Sequence, residues 1–528
     1  MEEYLLDNNL SIIESEEKYR SVITNVKIKK GTIIISSPAM GIVLMESARD
    51  SYCHNCLSLM QKNKNRCSRC KVAHYCSKEC QVNAWKNGHK YTCKLWKEKK
   101  LFDNDLMDID LLVQVVLQIS KWNDNSGAEP NKKSSTIFEP GSMTPEKLKD
   151  ISESDESINW KNKEEKINRE AFLSLMTHQD KIEFEEWKYL RDITKAVFLI
   201  APDLESKTSE SELIQHLLRF KCNNFVCHDS QLFGIAESAF PVGSLFNHSC
   251  SPNATLYYHG NRQIIRAMRD IQQGEEICIT YTDVMNSREN RQKLLFEKYK
   301  FKCHCERCMD ENGLDKKLIP FEEEEIIKDD SILSKKEKEE EERKRKKKEE
   351  EDFNKMKGQL KTDAISIHDI LDFEKCKALE IDKSSILESY PLLKFIVIVA
   401  SKLLPVLEFS DEDYSKIHYQ LIEDINPLQL NIFTLVCKYT YYCIDANDHL
   451  HAAYASLYVL MAYLVFLGRY HPLTGLQWLT FGKLVWNIGD DYKKEALYSL
   501  HQAKNSIMIS EGRSDVLEEI ENLIKQFS

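Results

Sequence analysis

A chain of 528 residues with 42% hydrophobic residues has enough apolar material for two to four domains with buried cores. Its 73 basic and 84 acidic residues leave a formal charge of −11, which excludes a histone-like global grip on nucleic acid and leaves only local basic patches for acidic partners. The start, "MEEYLLDNNL", has neither a basic n-region nor an apolar h-region, so the 17 cysteines are expected in an intracellular protein of the cytoplasm, the nucleus or both, reduced and metal-binding where they cluster.

Residues 1 to 52 carry short β-branched runs broken by Lys-Gly and Pro, as in "VITNVKIKKGTIIISSPAMGIVLME", which predict strands and turns. Residues 53 to 93 then read Cys53-x2-Cys56, Cys67-x2-Cys70, Cys76-x3-Cys80 and His89-x3-Cys93. A two-residue gap forms a knuckle that aims two thiolates at one ion, and a three-residue gap puts both ligands on one face of a helical turn. Eight such ligands fill two closed tetrahedral zinc sites with no open position, which makes them structural. Spacing alone leaves open which pairs share an ion. His54 and His74 fall outside the pairs and read as surface groups or as supports for the ligands. Residues 53 to 100 hold 12 Lys and Arg against Glu79 and Glu98, a local charge of +10. That surface suits a peptide or other acidic partner, or is simply solvated; nucleic acid stays open, but without interleaved aromatics no sequence-specific base reading is expected.

Residues 94 to 220 are helical in pattern, with a polar stretch near 123 to 165 that predicts a flexible loop. Strands resume within 221 to 285, in "QLFGIAESAF", "ATLYYHG" and "RQIIRAM". In 286 to 310, Cys303-x-Cys305-x2-Cys308 leaves a tetrahedral zinc one ligand short. Cys250, inside "SLFNHSCSPN", and His304 compete for the fourth place; Cys250 is favoured because adjacent side chains such as His304 and Cys305 seldom converge on one ion. Residues 311 to 365 predict a charged linker whose run at 322 to 357 cannot bury a core, with Arg343 to Lys348 a solvated block or a nuclear address. Residues 366 to 528 predict helices. The apolar run Ala452 to Leu467 falls short of the roughly 20 residues of a bilayer span and reads as a buried helix, so no membrane partner is expected. A Gly-Asp turn followed by Glu495-Ala496 and Ala503 is loosely like a tetratricopeptide hairpin.

Asn247-His248-Ser249-Cys250-Ser251-Pro252-Asn253, "GEEICITYTD" at 274 to 283, the late cysteine cluster and the early eight-ligand finger stand in the order found in SET and MYND domain proteins. The chain resembles that family over roughly residues 15 to 310, and more loosely beyond. The resemblance implies an α+β fold: a split β-rich SET domain, an inserted MYND zinc finger, and an all-α tetratricopeptide-like C-terminal domain packed over the substrate cleft. It implies S-adenosylmethionine-dependent methyl transfer to lysines of histone or non-histone proteins by a monomer. In the family's finger the pairs interleave, so Cys53, Cys56, Cys76 and Cys80 would hold one Zn2+ and Cys67, Cys70, His89 and Cys93 another. A third structural Zn2+ would sit on Cys250, Cys303, Cys305 and Cys308.

Methyl transfer from a sulfonium to an amine is an in-line displacement, so it needs positioning, a neutral amine and excluded water more than acid-base chemistry. By the same resemblance Tyr281 is the catalytic tyrosine that orients the lysine amine and is also a cofactor-binding residue, with Tyr299 a second aromatic wall whose face suits a partly cationic methyl. Phe301 would stack on the cofactor adenine. Asn247 and His248 would bind the cofactor, with Asn223, Ser244 and His178 at further cofactor positions. Near the N-terminus, Tyr19-Arg20-Ser21 stands where the family has a Gly-Arg-Gly-like turn against the methionine end of the cofactor. Glycine lets a backbone come close to a ligand. Side chains at 19 and 21 would narrow that approach, while Arg20 would face the cofactor carboxylate. This departure also sustains a different expectation, a catalytically weak or inactive scaffold that recruits partner proteins.

Overall fold

The computed structural model describes residues 1–15, 18–60, 65–98, 103–125, 155–310, 313–319, 428–512 and 514–527. The chain divides into one unit of Met1–Tyr281 with Leu294–Cys303 and a second of Thr282–Lys293 with His304–Ser528.

The first unit is built from short strands where the β-branched runs predict them: β1 (Leu10–Ser15), β2 (Tyr19–Thr24), β3 (Ile33–Pro38), β4 (Gly41–Leu44), β5 (Asn65–Arg66), β6 (His74–Tyr75), β7 (Asn224–His228), β8 (Gly234–Ala239), β9 (Asn247–His248), β10 (Ala254–His259), β11 (Arg262–Ala267) and β12 (Cys278–Ile279). β1 and β2 form an antiparallel ribbon, Leu10 opposite Thr24. The sheet order β10-β11-β3 joins strands from both sides of the finger, as does β4-β8-β7. β9 and β12 pair in parallel, Asn247 beside Cys278 and His248 beside Ile279, so the two family motifs lie next to each other.

The helices are α1 (Glu2–Asp7), α2 (Lys78–Ala84), α3 (Lys90–Glu98), α4 (Asp103–Asn125), α5 (Asp155–Leu173), α6 (Phe184–Ile200), α7 (Glu210–Asn223) and α8 (Arg288–Tyr299). α4 buries nearly every residue from Leu106 to Leu117, because it lies between β4 on one side and α6 and α7 on the other. Gly41 permits the close approach: a Cβ there would stand 2.6 Å from Leu111 Cδ1. β4 is an edge strand, and α4 satisfies its exposed backbone, since Gln114 accepts from the Ile42 amide at 3.0 Å and donates to its carbonyl at 2.9 Å. α7 starts with a capping box between Ser209 and Glu212.

The loop expected near 123 to 165 is corrected where it is described. α4 runs to Asn125 and α5 begins at Asp155; residues 126–154 lie outside the described residues. α5 is helical despite its polar sequence because Ile167, Ala171 and Phe172 share a buried face. Its polar side is held as well: Glu164 takes a two-pronged contact from Arg262, 2.6 and 3.2 Å, and Asn168 donates to the Pro38 carbonyl at 2.9 Å.

In the second unit, α9 (Glu306–Met309) is followed by a two-residue parallel pairing of Leu318–Ile319 with Leu428–Gln429 and then by α10 (Leu430–Asp445), α11 (His449–Phe466), α12 (Pro472–Ile488), α13 (Lys493–Ser510) and α14 (Ser514–Phe527). Each of these five helices packs on the next, as in stacked helical hairpins. Gly475 and Gly482, seven apart on α12, let α13 close in, with Ile507 Cδ1 2.7 Å and Ser499 Cβ 3.2 Å from where their Cβ atoms would be. α11 is long and apolar enough to cross a membrane by composition, yet 72% of it is buried inside this helical core. The charged run 322 to 357, its basic block at 343 to 348 and the stretch from 366 to 427 lie outside the described residues.

Asp315 anchors the start of this unit. Its buried carboxylate accepts from Arg291 at 2.5 and 3.0 Å and from Arg307 at 3.0 Å, with Arg288 at 3.6 Å. Burial alone would raise its pKa, but the hydrogen bond from Arg291 and the Arg307 charge outweigh it and hold the carboxyl below its usual value. The linked stability is therefore present above the ordinary carboxylate range and is lost as pH falls through the lowered folded-state pKa. Asp315→Ala is expected to cost about 3 kcal/mol at pH 7, because it strips the counter-charge from buried arginines. Urea unfolding followed from pH 7 downward checks this: the gap between variant and parent should be full at pH 7 and narrow progressively as pH falls below the ordinary carboxylate range towards the lowered folded-state pKa.

Candidate active site and metal sets

Three groups of ligand atoms converge, each with one atom per residue within 4.8 Å of the others: Cys53, Cys56, Cys76 and Cys80; Cys67, Cys70, His89 and Cys93; and Cys250, Cys303, Cys305 and Cys308. The fourth member of the last set is Cys250, while His304 is exposed and outside it. Four thiolates around zinc at about 2.3 Å put sulfurs roughly 3.8 Å apart. The observed edges fit that figure: 3.6 Å for Cys56 to Cys76, 3.5 Å for Cys76 to Cys80, and 3.8 Å for Cys67 to Cys93. Cys70 Sγ and His89 Nε2 are 3.6 Å apart.

Local folding explains the convergence in the finger. β5 and β6 form a small hairpin that carries Cys67 at one end and brings Cys76 round behind it. Ser77 caps α2 by accepting from the Cys80 amide at 3.0 Å, fixing that thiol on the first turn. Asp110 of α4, fully buried, receives hydrogen bonds from Trp96 Nε1 at 2.7 Å and Thr92 Oγ1 at 3.1 Å, both on the helix that bears Cys93. Burial raises its pKa, opposed by these hydrogen bonds. His54 is not a surface group: its Nδ1 accepts from the His74 amide at 3.0 Å, and burial pulls its pKa down to about 3, so it bridges the two halves of the finger as a neutral ring.

The residues singled out around residue 250 fall into two linked groups. The first is aromatic. Tyr281 and Tyr299 have ring centroids 4.8 Å apart; His248 lies 5.4 Å from Tyr281 and 6.2 Å from Phe301, and Phe301 meets Tyr281 edge-on at 6.5 Å. The Tyr281 amide donates to His248 Nδ1 at 3.0 Å, which leaves the ring proton on Nε2, 3.2 Å from Cys250 Sγ. The Tyr281 hydroxyl donates to the Phe246 carbonyl at 2.5 Å, and burial, with Tyr299 adding to it, raises its pKa so that the hydroxyl stays protonated.

The second group is polar. Asn247 Nδ2 donates to the Arg20 carbonyl at 2.5 Å and to Glu276 Oε1 at 2.9 Å. Ser244 Oγ donates to the carbonyls of Asn223 at 3.1 Å and Phe240 at 3.0 Å, and Asn223 Nδ2 in turn donates to the Arg219 carbonyl at 2.8 Å. Tyr19 holds the left-handed conformation, φ 61°, that a glycine would adopt without strain. It is 58% exposed and lines an open cavity of about 750 Å³ together with residues 173 to 180, Gln215 and Arg219. His178, also left-handed at φ 47°, is on that wall, and burial lowers its pKa. Arg20 is not among the residues that line this cavity. Its guanidinium donates to the Ser174 carbonyl and hydroxyl and to the Ser244 carbonyl at 3.2 to 3.3 Å. Glu276 and Arg219 escape a reading of the sequence; only the acidic pair in "GEEICITYTD" hints at the first.

A cysteine-rich finger inserted into a split sheet domain, with Asn-His and Tyr motifs brought together on paired strands, defines a class that the comparisons identify. The SET domain family model matches residues 19–282. The chain belongs to the SET-domain family, and its inserted finger places it with the SET and MYND proteins. It is 26% identical over 526 residues to histone-lysine N-methyltransferase ASHR1 of Arabidopsis thaliana, covering 97% of this chain and 94% of that protein. It is 27% identical over 286 residues to histone-lysine N-methyltransferase SMYD3 of Homo sapiens, 54% of this chain and 58% of that one. For N-lysine methyltransferase SMYD2 of Bos taurus the figures are 27% over 303 residues, 57% and 60%. The match thus spans less than two thirds of these animal relatives' length.

Proposed function

We propose that this protein is a protein-lysine N-methyltransferase that uses S-adenosylmethionine, with structural zinc in its three cysteine sets. The observation that carries the reading is the joining of Asn247-His248 to Tyr281 through the His248–Tyr281 hydrogen bond, which ties a donor-binding motif to an aromatic cage. S-adenosylmethionine supplies the electrophilic methyl group when bound. The chain's own residues do the positioning. Tyr281 and Tyr299 pack on the aliphatic stem of the incoming lysine, and their faces favour the positive charge that develops as the amine is methylated. The Tyr281 hydroxyl, kept protonated by burial, presents its oxygen to the amine and orients its lone pair along the displacement axis. Phe301 and His248 exclude water from the same space. Asn247, braced by the Arg20 carbonyl and Glu276, and Ser244, braced by the Asn223 carbonyl, fix the backbone that receives the donor. Zinc supplies no step: each set has four protein ligands and leaves no open position.

Tyr19 supports a second reading, a weakly active or inactive scaffold, because a side chain stands where the family's turn has none. Calorimetric titration of zinc-loaded protein with S-adenosylmethionine separates the two. The enzyme reading expects binding that weakens at least tenfold in Asn247→Ala. A folded protein that binds no donor would leave the scaffold reading.

A further inference from the structure

Two guanidinium groups converge on one turn of the first unit. Arg219 of α7 donates to the Leu173 carbonyl at 3.3 Å, and Arg20 of β2 donates to the next carbonyl, that of Ser174. Among the described residues neither forms an ion pair with a carboxylate, and burial lowers the pKa of both. A cation partly removed from water and without a counter-charge is costly unless an anion joins it. The two arginines differ in what remains to offer. Arg20 is spent on three acceptors. Arg219 lines the 750 Å³ cavity, its buried Nε has no hydrogen-bond partner, and its guanidinium is backed by the Phe172 ring at 5.8 Å. Asn223, one turn along α7, reaches back to the Arg219 carbonyl and so joins this position to the Ser244 and Asn247 network.

We infer that Arg219 is the carboxylate-binding residue of this cavity and holds the amino-acid end of the methyl donor, the contact expected of Arg20. The inference rests on the proposed methyltransferase reading. It explains how the chain tolerates Tyr19-Arg20-Ser21: the carboxylate is met from the α7 side, and Arg20 serves instead to brace the 174 and 244 carbonyls against each other.

The test compares S-adenosylmethionine with its decarboxylated analogue, which keeps the sulfonium and adenosine and lacks only the carboxylate. Calorimetry on the zinc-loaded full chain is expected to show the parent preferring the carboxylated donor by at least tenfold. In Arg219→Met that preference should fall to near one, with affinity for the decarboxylated analogue unchanged; Arg219→Lys should restore part of it. Unchanged analogue binding also shows that the variant is folded. Equal affinity of the parent for both ligands would overturn the inference without recourse to any variant. So would loss of the preference in Arg20→Met but not in Arg219→Met, which would leave the methyltransferase reading standing. A parent that binds neither ligand would overturn both.

Discussion

Tyr281→Phe is expected to lower methyl transfer by about 10²–10³-fold, the usual scale for removing one preorganised polar group from a reacting centre. The ring would stay, and with it the 4.8 Å packing on Tyr299 and the backbone bond to His248 Nδ1. What disappears is the hydroxyl, whose present partner is the Phe246 carbonyl. Its loss leaves one carbonyl short of a donor, a stability cost of about 1 kcal/mol. The effect should therefore fall on turnover, with donor affinity and unfolding midpoint nearly unchanged. Single-turnover kinetics beside donor titration make the distinction. A variant with parental turnover would remove Tyr281 from the mechanism, and one that lost donor binding would make it a structural residue.

Stripping zinc is expected to have the largest effect on stability. Structural zinc sites contribute on the order of 10 kcal/mol of coupled binding and folding free energy, comparable with the entire stability of a domain. Here Cys53, Cys67, Cys70 and Cys93 are buried members of the same apolar core as Leu10, Val22 and Leu112. A strong chelator should release three equivalents of zinc and abolish cooperative unfolding of the first unit, measured by metal-dye absorbance and calorimetry in parallel. Cys67→Ser should lower the stoichiometry by one and the midpoint by many degrees. A folded, active chain that contains no zinc would refute the assignment.

The finger's metal ligands are readable in the sequence because each pair is local: four pairs over some forty residues announce eight ligands, while which pairs share an ion is not stated by their spacing. Paired β-branched runs are readable for the same reason. Contacts between distant segments are not. Asn247 and Glu276 meet across 29 residues and Arg20 and Ser244 across 224, and no pattern in the chain announces such pairs. α5 is hidden because Asn and charged residues dominate its sequence, and its helical face becomes apparent only once Ile167, Ala171 and Phe172 have a core to enter. Asp315 is one acid among many until three arginines are found around it. Tyr19 shows the opposite limit. The sequence reveals a missing glycine, but only the backbone shows that the left-handed turn survives without it.

The hydrogen bonds from Thr92 and Trp96 to Asp110, with the Arg49 guanidinium 4.5 Å over the Trp96 ring, fasten the chain just before the finger to the chain just after it. A shortened protein from which residues 53 to 93 had been excised would lose Thr92 from the buried Asp110 and leave Trp96, which both Asp110 and Arg49 touch, at the cut edge of its helix. The finger is thus no portable cassette. Truncation that aims to isolate the catalytic half would dismantle it, and any rearrangement that transplanted the finger between proteins would have to carry part of α4 with it.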